Sequence, residues 1–379
     1  MGRERIVAAV CAGVLVSGVA VAVAGNGDGP TRPTAESRAA ADVVTSSPTP
    51  SSSRPPAPPR RVEKTDRAPA GPKPAALPYP IPMGPVQPQP CPPPPPKGGP
   101  YQPKPLGAPA VPEGALWAPH PVKPRHVDLA AVSGKGMWLT TWADSHVDVA
   151  RVVAQAKAAG LRSLWVRTGG SYQGYYGNPL LAALLPAAHA AGIRVVAWDF
   201  PTLSDPVADA RRAGQALAFS VGGQRVDAFA PDVETPAEGV FQTPRRIALY
   251  LSLVREYAAN RPVVATVPRP TDHNMAAYPY ATEAPYVDAF APMVYWSCNE
   301  PGLLARTAVE RLSRWRPVNV VGQSYDMGPE GGRPGLPSGA EIWRYLDVTK
   351  RYGGIGASLY LYSQTGHAQW AALAAFPWR

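Results

Sequence analysis

Short apolar runs alternate with segments of helical periodicity from Gly134 to the C-terminus, and this alternation constrains the fold more than any other feature. The apolar runs carry apolar side chains on both faces, which is typical of strands in a buried parallel sheet. The eight predicted strands are Gly136–Trp142, Arg162–Thr168, Ile193–Phe200, Asp227–Glu234, Pro262–Val267, Asp288–Trp296, Pro317–Tyr325 and Gly356–Tyr362.

Amphipathic segments separate these runs, and several end at a glycine, such as Gly160 and Gly192, as a helix C-terminal cap does. The crossover after the fifth strand, residues 269–286, is rich in proline and reads as a loop. The predicted helical segments are His146–Gly160, Pro179–Gly192, Asp205–Ser220, Pro244–Asn260, Pro301–Trp315, Ser338–Gly353 and Gly366–Phe376.

Eight such units in about 245 residues predict an α/β fold of the (β/α)8 TIM-barrel type. A doubly wound open sheet also alternates in this way, but the sequence has no GxGxxG or P-loop motif where a nucleotide would need one. Residues 226–231 and 287–292 both read VDAFAP. This repeat fits quasi-equivalent strands, the fourth and the sixth, of one barrel.

The front of the chain has a different composition, because 30 of the 49 prolines lie between Pro30 and Pro124. Residues 1–24 read as a signal peptide, with a basic start, an apolar run and a small-x-small cleavage site at Ala22–Ala24. An uncleaved membrane anchor is the alternative. Residues 25–128 lack the apolar content for a core and predict a disordered, proline-rich spacer. Residues 129–379 form the predicted barrel domain.

The formal net charge of +10 divides into +1 on residues 1–24, +5 on residues 25–128 and +4 on the barrel domain. No dense basic stripe with interleaved aromatic residues is present, so nucleic acid is not an expected partner. Attraction of the spacer to anionic cell-wall polymers or lipid headgroups fits better. We expect a secreted or cell-wall-associated monomer that contacts a membrane only if the N-terminal segment is uncleaved.

Three cysteines, Cys11, Cys91 and Cys298, show no metal-binding spacing, and the sequence gives no sign of a metal or other cofactor. In an exported chain Cys91 and Cys298 could pair, and two unpaired thiols are the alternative.

Asp232 and Glu234 end the fourth predicted strand, where the chemistry of such barrels is located. Residues i and i+2 of a strand point to the same face, and two close carboxylates disfavour joint ionisation. One of them should therefore hold a proton, as cleavage of a glycosidic bond requires. The structural alternative is that either acid pairs with Arg167 or caps the next helix.

The segment from Asp227 to Glu234, DAFAPDVE, resembles the DxxDxDxE motif of family 18 glycoside hydrolases, with Ala230 in place of the middle aspartate. Residues 293–295, MVY, resemble that family's MxY element, with Trp296 where an aspartate is usual. The resemblance implies that Glu234 is the general acid. It also implies that Asp232 orients a substrate 2-acetamido group, to which Tyr295 donates a hydrogen bond.

Residues 163–234 are also similar to the second to fourth strands of family 25 lysozyme-like barrels, which end strand four in DxE and cleave peptidoglycan. The first-strand aspartate of that family has no clear equivalent in GMWLTTW, residues 136–142.

Further candidates for substrate binding end other strands, where aromatic walls beside acids suit sugars. Asp199 and Asp326 could supply another carboxylate, and Arg167 could bind a substrate carboxylate or neutralise the acids. Trp142 and Trp296 could stack on a sugar or pack the rim. The candidates for substrate binding are Asp199, Arg167, Trp142, Trp296, Asp326, Tyr325 and Tyr362.

These features predict a secreted glycoside hydrolase that acts on a cell-wall or amino-sugar polysaccharide, peptidoglycan among them. A barrel that binds carbohydrate without turnover is the first alternative. A surface spacer that the barrel merely caps is the second.

Overall fold

The structure, a computed structural model, describes residue 90, residues 106–140 and residues 147–378. The predicted signal peptide, most of the predicted spacer and the candidate Trp142 lie outside the described residues, as do Cys11 and Cys91.

Eight parallel strands form a nearly closed barrel, which confirms the predicted fold class. The strands are β1 Gly134–Leu139, β2 Ser163–Gly170, β3 Gly174–Tyr175, β4 Arg194–Phe200, β5 Ala228–Pro231, β6 Val264–Pro268, β7 Ala289–Val294, β8 Asn319–Gln323 and β9 Gly356–Tyr360. The short β3 pairs antiparallel with β2, and the others follow the order β5-β4-β2-β1-β9-β8-β7-β6. Isolated parallel bridges, Phe229 with Val263 and Asp232 with Thr266, join the two ends of this path.

Helices connect the strands and surround the barrel. They are α1 Val149–Ala158, α2 Asn178–Ala190, α3 Pro206–Ala218, α4 Pro244–Ala258, α5 Asp272–Ala277, α6 Tyr280–Glu283, α7 Pro301–Leu312, α8 Gly339–Arg351 and α9 His367–Ala375. Gly160 (φ +64°) and Gly192 (φ +75°) follow α1 and α2 in the left-handed conformation expected of helix C-terminal caps. The crossover 269–286, which the sequence presents as a loop, contains the two short helices α5 and α6.

Side chains that alternate along each strand divide the apolar core into a barrel interior and a layer between barrel and helices. Trp138, Trp165 and Trp198 on three neighbouring strands fill much of the interior. The rings of Trp138 and Trp165 stack with their centroids 4.6 Å apart, and Trp198 meets Trp138 edge-on at 5.4 Å. The interior is therefore packed beneath the mouth, as in other barrels of this type.

The VDAFAP repeat has one structural role in both of its copies. Asp227 accepts a hydrogen bond from the backbone of Val195 at 2.8 Å, and Asp288 accepts one from the backbone of Val263 at 2.8 Å. Each aspartate also pairs with arginine, Asp227 with Arg194 and Asp288 with Arg125 and Arg255. The repeat thus ties the start of β5 to β4 and the start of β7 to β6.

Residues 106–128, which composition assigns to the spacer, lie against the barrel domain. The backbone of Val111 donates to the Ser204 carbonyl at 3.1 Å, and that of His120 donates to the Ser252 hydroxyl at 3.0 Å. The buried Arg246 of α4 forms an ion pair with Glu113 at 3.0 Å. Leu116 is also buried in the apolar layer between barrel and helices, and Val111 packs against it, so the segment contributes both polar and apolar contacts.

A short 3-10 helix, Leu129–Val132, places Ala131 and Val132 in the barrel interior at the amino ends of the strands. The side-chain amide of Asn319, the first residue of β8, donates to the Val132 carbonyl at 2.7 Å. Among the described residues no helix combines the length and the apolar character that a membrane crossing requires.

Candidate active site

Asp232 and Glu234 continue β5 beyond Pro231, its last regular residue. Ala228 and Ala230 face the barrel interior, and the two-residue period of a strand turns Asp232 and Glu234 the same way. The backbone of Asp232 donates to the Asp199 carbonyl at 2.9 Å, which keeps the segment aligned with β4. Only 8% of Asp232 and 5% of Glu234 is exposed. The structure therefore places two carboxyl groups side by side in the mouth of the barrel.

The environment of these two acids favours their neutral forms. Burial raises the pKa of Asp232, and Asp199 and Glu238 add to this increase, whereas the Arg167 guanidinium lowers it. Burial also raises the pKa of Glu234 well above its ordinary value, with further increases from Asp232 and Glu238. Because two coupled acids give up their protons in separate steps, the pair retains a proton around neutral pH.

Two polar atoms in this mouth have no hydrogen-bond partner among the residues that the structure describes. They are Oδ1 of Asp232 and Oγ1 of Thr266, which are buried and belong to residues paired across the seam between β5 and β6. Thr266 faces the interior because Val264, two residues earlier, does so. Buried polar groups are rarely left unpaired, so this part of the mouth is suited to a polar ligand.

Arg167 also occupies an interior position, two residues after Trp165. Its guanidinium lies 5.0 Å from the ring centroid of Trp198, within the range of a cation–π contact. The same guanidinium lowers the pKa of Asp232. Arg167 thus brings a positive charge to the acidic pair.

Three tyrosines from β7, β8 and β9 form an aromatic cluster at the carboxyl ends of those strands. The ring centroids of Tyr295, Tyr325 and Tyr360 are 5.5–5.8 Å apart. The Tyr325 hydroxyl donates to Glu330 at 3.0 Å, and burial raises the pKa of Glu330 to about 7. The cluster provides apolar ring faces of the kind that pack against sugars.

Asp199 and Trp296, two candidates from strand ends, point out of the barrel. Asp199 shares the outward face of β4 with Ala197 and forms an ion pair with Arg212 of α3 at 2.8 Å. Trp296 is fully buried between barrel and helices, where its indole nitrogen donates to Glu341 at 3.2 Å. Neither side chain enters the barrel interior.

Tyr362 and Asp326 are also held away from the acidic pair. The Tyr362 hydroxyl donates to Gln155 of α1 at 2.6 Å. Oδ1 of Asp326 accepts hydrogen bonds from the backbones of Gly328 and Gly335 at 2.7 and 2.8 Å, which stabilises the loop after β8. Asp227, the first acid of the resembled motif, lies at the start of β5, at the opposite end of the barrel from the mouth.

The structure adds three residues to those that the sequence suggests. Thr266 belongs to an apolar run, and what distinguishes it is that its side chain faces the barrel interior near the carboxyl end of β6. Glu238 lies four residues after Glu234, in the short 3-10 helix Pro236–Glu238, and raises the pKa of both Asp232 and Glu234. Glu330 lies in a glycine-rich loop, and its contact with Tyr325 has no sequence signature.

Cys298 is disulfide-bonded and lies three residues after Tyr295. Its partner is outside the described residues, so pairing with Cys91 stays a prediction. Within residues 106–140 and 147–378, no group of three or more histidine, cysteine, aspartate or glutamate residues could hold a metal ion.

No protein-family model matches the chain, and no curated protein matches its sequence. Solved structures with a similar fold include a class V chitinase from Pseudomonas fluorescens Pf-5, at 14% identity and a TM-score of 0.48 over 64% of this chain and 98% of that one. The spore cortex-lytic enzyme SleL of Bacillus megaterium QM B1551 matches at 10% identity and a TM-score of 0.48, over 64% and 73%. A chitinase-like agglutinin from Robinia pseudoacacia matches at 11% and 0.45, over 63% and 98%. These similarities concern the arrangement of strands and helices alone.

Proposed function

We propose that the chain hydrolyses glycosidic bonds in a cell-wall or amino-sugar polysaccharide, with Glu234 as the general acid and Asp232 as the assisting carboxylate. One observation carries this proposal: two adjacent, buried acids face the barrel mouth, and Oδ1 of Asp232 has no hydrogen-bond partner within residues 106–140 and 147–378.

The arrangement can supply the proton that the leaving sugar needs. Burial and its acidic neighbours raise the pKa of Glu234 and so favour its protonated form, and Glu234 would transfer that proton to the glycosidic oxygen. Arg167 favours the ionised form of Asp232, so the two acids are biased toward different protonation states. Asp232 would then accept a hydrogen bond from the substrate, or stabilise the positive charge that develops on the sugar.

The aromatic cluster of Tyr295, Tyr325 and Tyr360 would form one wall of the sugar site. Tyr295 faces the interior on the same strand face as Met293, and its hydroxyl would donate to the substrate. Secretion to the cell wall, through the signal peptide and the proline-rich spacer, belongs to the same proposal and rests on the sequence of residues 1–128.

A barrel that binds glycan without cleaving it is the second candidate. The observation in its favour is the pair of departures from the family 18 motifs. Ala230 brings only a methyl group to the interior, and Trp296 is turned outward. No carboxylate replaces the missing acids at these two positions.

Hydrolysis and binding, measured together on peptidoglycan and chitin fragments, separate the two candidates. Wild type should release reducing ends. Glu234→Gln should bind the same fragments, but its rate of reducing-end release should be lower by about 100-fold or more. Glu310→Gln, on the exposed face of α7, is the matched control and should behave as wild type. If wild type and Glu234→Gln both bind glycan and neither cleaves it, the enzyme proposal is wrong and the second candidate gains.

A further inference from the structure

A buried tyrosine from the crossover between β6 and β7 contacts the backbone between the two acids. A buried glutamate from the same crossover contacts that tyrosine. Tyr278 is 4% exposed and Glu283 is fully buried. The Tyr278 hydroxyl lies 2.8 Å from the carbonyl oxygen of Val233, the residue between Asp232 and Glu234. The same hydroxyl lies 2.6 Å from Oε1 of Glu283.

The number of available protons determines which groups donate and which accept in these contacts. Tyr278 has one hydroxyl proton, and the Val233 carbonyl can only accept. If Glu283 were ionised, the carboxylate and the carbonyl would compete for that single proton. If Glu283 is protonated, its hydroxyl donates to the Tyr278 oxygen and Tyr278 donates to Val233. Only the protonated form satisfies both short contacts.

The second oxygen of Glu283 supports the same assignment. Oε2 is buried and has no hydrogen-bond partner in the described part of the chain. An unpaired carbonyl oxygen of a neutral acid costs much less free energy than an unpaired oxygen of a buried carboxylate.

We propose that Tyr278 and Glu283 are a positioning pair: a protonated Glu283 orients the Tyr278 hydroxyl, which holds the Val233 carbonyl and so fixes the directions of Asp232 and Glu234. Neither residue touches the reacting atoms. The inference concerns how the site is built, and it rests on the proposed function only where activity is the readout.

The surroundings of Glu283 contain few other titratable groups. Tyr278 and Tyr280 come from the same crossover, and the Tyr280 hydroxyl is occupied by the Pro268 carbonyl at 2.9 Å. Glu234, just after β5, raises the pKa of Tyr278. Arg311 of α7 lowers the pKa of Tyr280 and forms an ion pair with Asp272. Burial raises the pKa of Glu283 to about 8, so the assigned proton is present at neutral pH and is lost under alkaline conditions.

Glu283→Gln is the decisive variant, because a glutamine amide can donate to Tyr278 as the protonated acid does and cannot ionise. On a glycan that wild type cleaves, Glu283→Gln should keep kcat within about twofold and remain active at higher pH than wild type. Tyr278→Phe should lower kcat about tenfold with little change in KM, because the acids lose their alignment. Tyr280→Phe, which removes a hydrogen bond from the same crossover, should leave the alkaline limit where it is.

The proposal is overturned if Glu283→Gln loses as much kcat as Tyr278→Phe, since an ionised Glu283 would then be required. A spectroscopic measurement is independent of any activity. The infrared difference between wild type and Glu283→Gln near neutral pH should contain the carbonyl stretch of a protonated carboxyl group. A carboxylate band in its place contradicts the proposal even if the protein cleaves no glycan.

Discussion

At the scale of single residues, side chains alternate between the two faces of a strand, so residues that lie together at a strand end can face either the barrel interior or the helices. Tyr295 and Trp296 are neighbours at the end of β7, yet Tyr295 faces the interior and Trp296 the helices. Asp199 faces the helices by the same rule. The sequence was sufficient to place Asp232 and Glu234 on one face. It could not place Glu330 or Tyr278, because loops and crossovers have no fixed period.

Thr266 provides a test of the mouth that does not depend on an acid. Its hydroxyl is buried and has no partner among the described residues, so Thr266→Val should leave the free energy of unfolding within about 0.5 kcal/mol or raise it. If that hydroxyl contacts substrate, kcat/KM should fall about tenfold. Chemical denaturation and steady-state kinetics measure the two effects.

Thr168→Val is the matched control for Thr266→Val, because Thr168 is equally buried but donates to the Trp198 carbonyl at 3.2 Å. It should lower the free energy of unfolding by about 1 kcal/mol. Equal destabilisation by the two substitutions would show that the Thr266 hydroxyl has a structural partner after all.

At the scale of elements, the parallel strands lie where the apolar runs predict them, with ends that shift by no more than three residues. The fourth predicted strand, Asp227–Glu234, contains the shorter regular strand Ala228–Pro231. The regular strand ends at Pro231, although the backbones of Asp232 and Val233 still donate to the carbonyls of Asp199 and Thr266, and hydrophobicity does not show where the regular part ends. The crossover after β6 was the hardest element to predict, since proline interrupts the periodicity that marks helices α5 and α6.

The role of the VDAFAP repeat leads to a prediction about the free energy of unfolding. Asp288→Asn should lower the free energy of unfolding by about 1–3 kcal/mol, because the carboxylate pairs with buried arginines at the start of β7. The kcat of the folded protein should stay near the wild-type value, since Asp288 is at the end of the barrel opposite the mouth. A variant that unfolds like wild type but has lost kcat would place Asp288 in the site and contradict this role.

At the scale of the whole molecule, the alternating pattern was enough to predict the barrel, because eight βα units have few compact solutions. The position of residues 106–128 could not be predicted in the same way. Their contacts depend on backbone carbonyls, on arginines of α4 such as Arg245, which donates to the Leu116 carbonyl at 2.6 Å, and on the buried side chain of Leu116.

The buried acids should also set how the stability of the whole molecule depends on pH. A carboxyl group whose pKa is higher in the folded than in the unfolded protein stabilises fully below its unfolded pKa, and this contribution is lost as pH rises through the folded pKa. For Glu283 that window runs from its ordinary value of 4.5 to about 8. Glu283→Gln should therefore gain stability relative to wild type across this window, by up to about 1.4 kcal/mol per pH unit. Denaturant titrations at several pH values measure the difference, and a difference that does not change with pH contradicts it.

The central claim is that Glu234 donates a proton to the leaving sugar, and the dependence of hydrolysis on the leaving group tests it most directly. The rate of Glu234→Gln relative to wild type should be measured on a glycan oligomer and on an aryl glycoside of the same sugar. A good leaving group needs no proton, so the variant should lose about 100-fold or more on the oligomer and far less on the aryl glycoside. Equal losses on both substrates, or no loss on the oligomer, would contradict the assignment of Glu234 as the general acid.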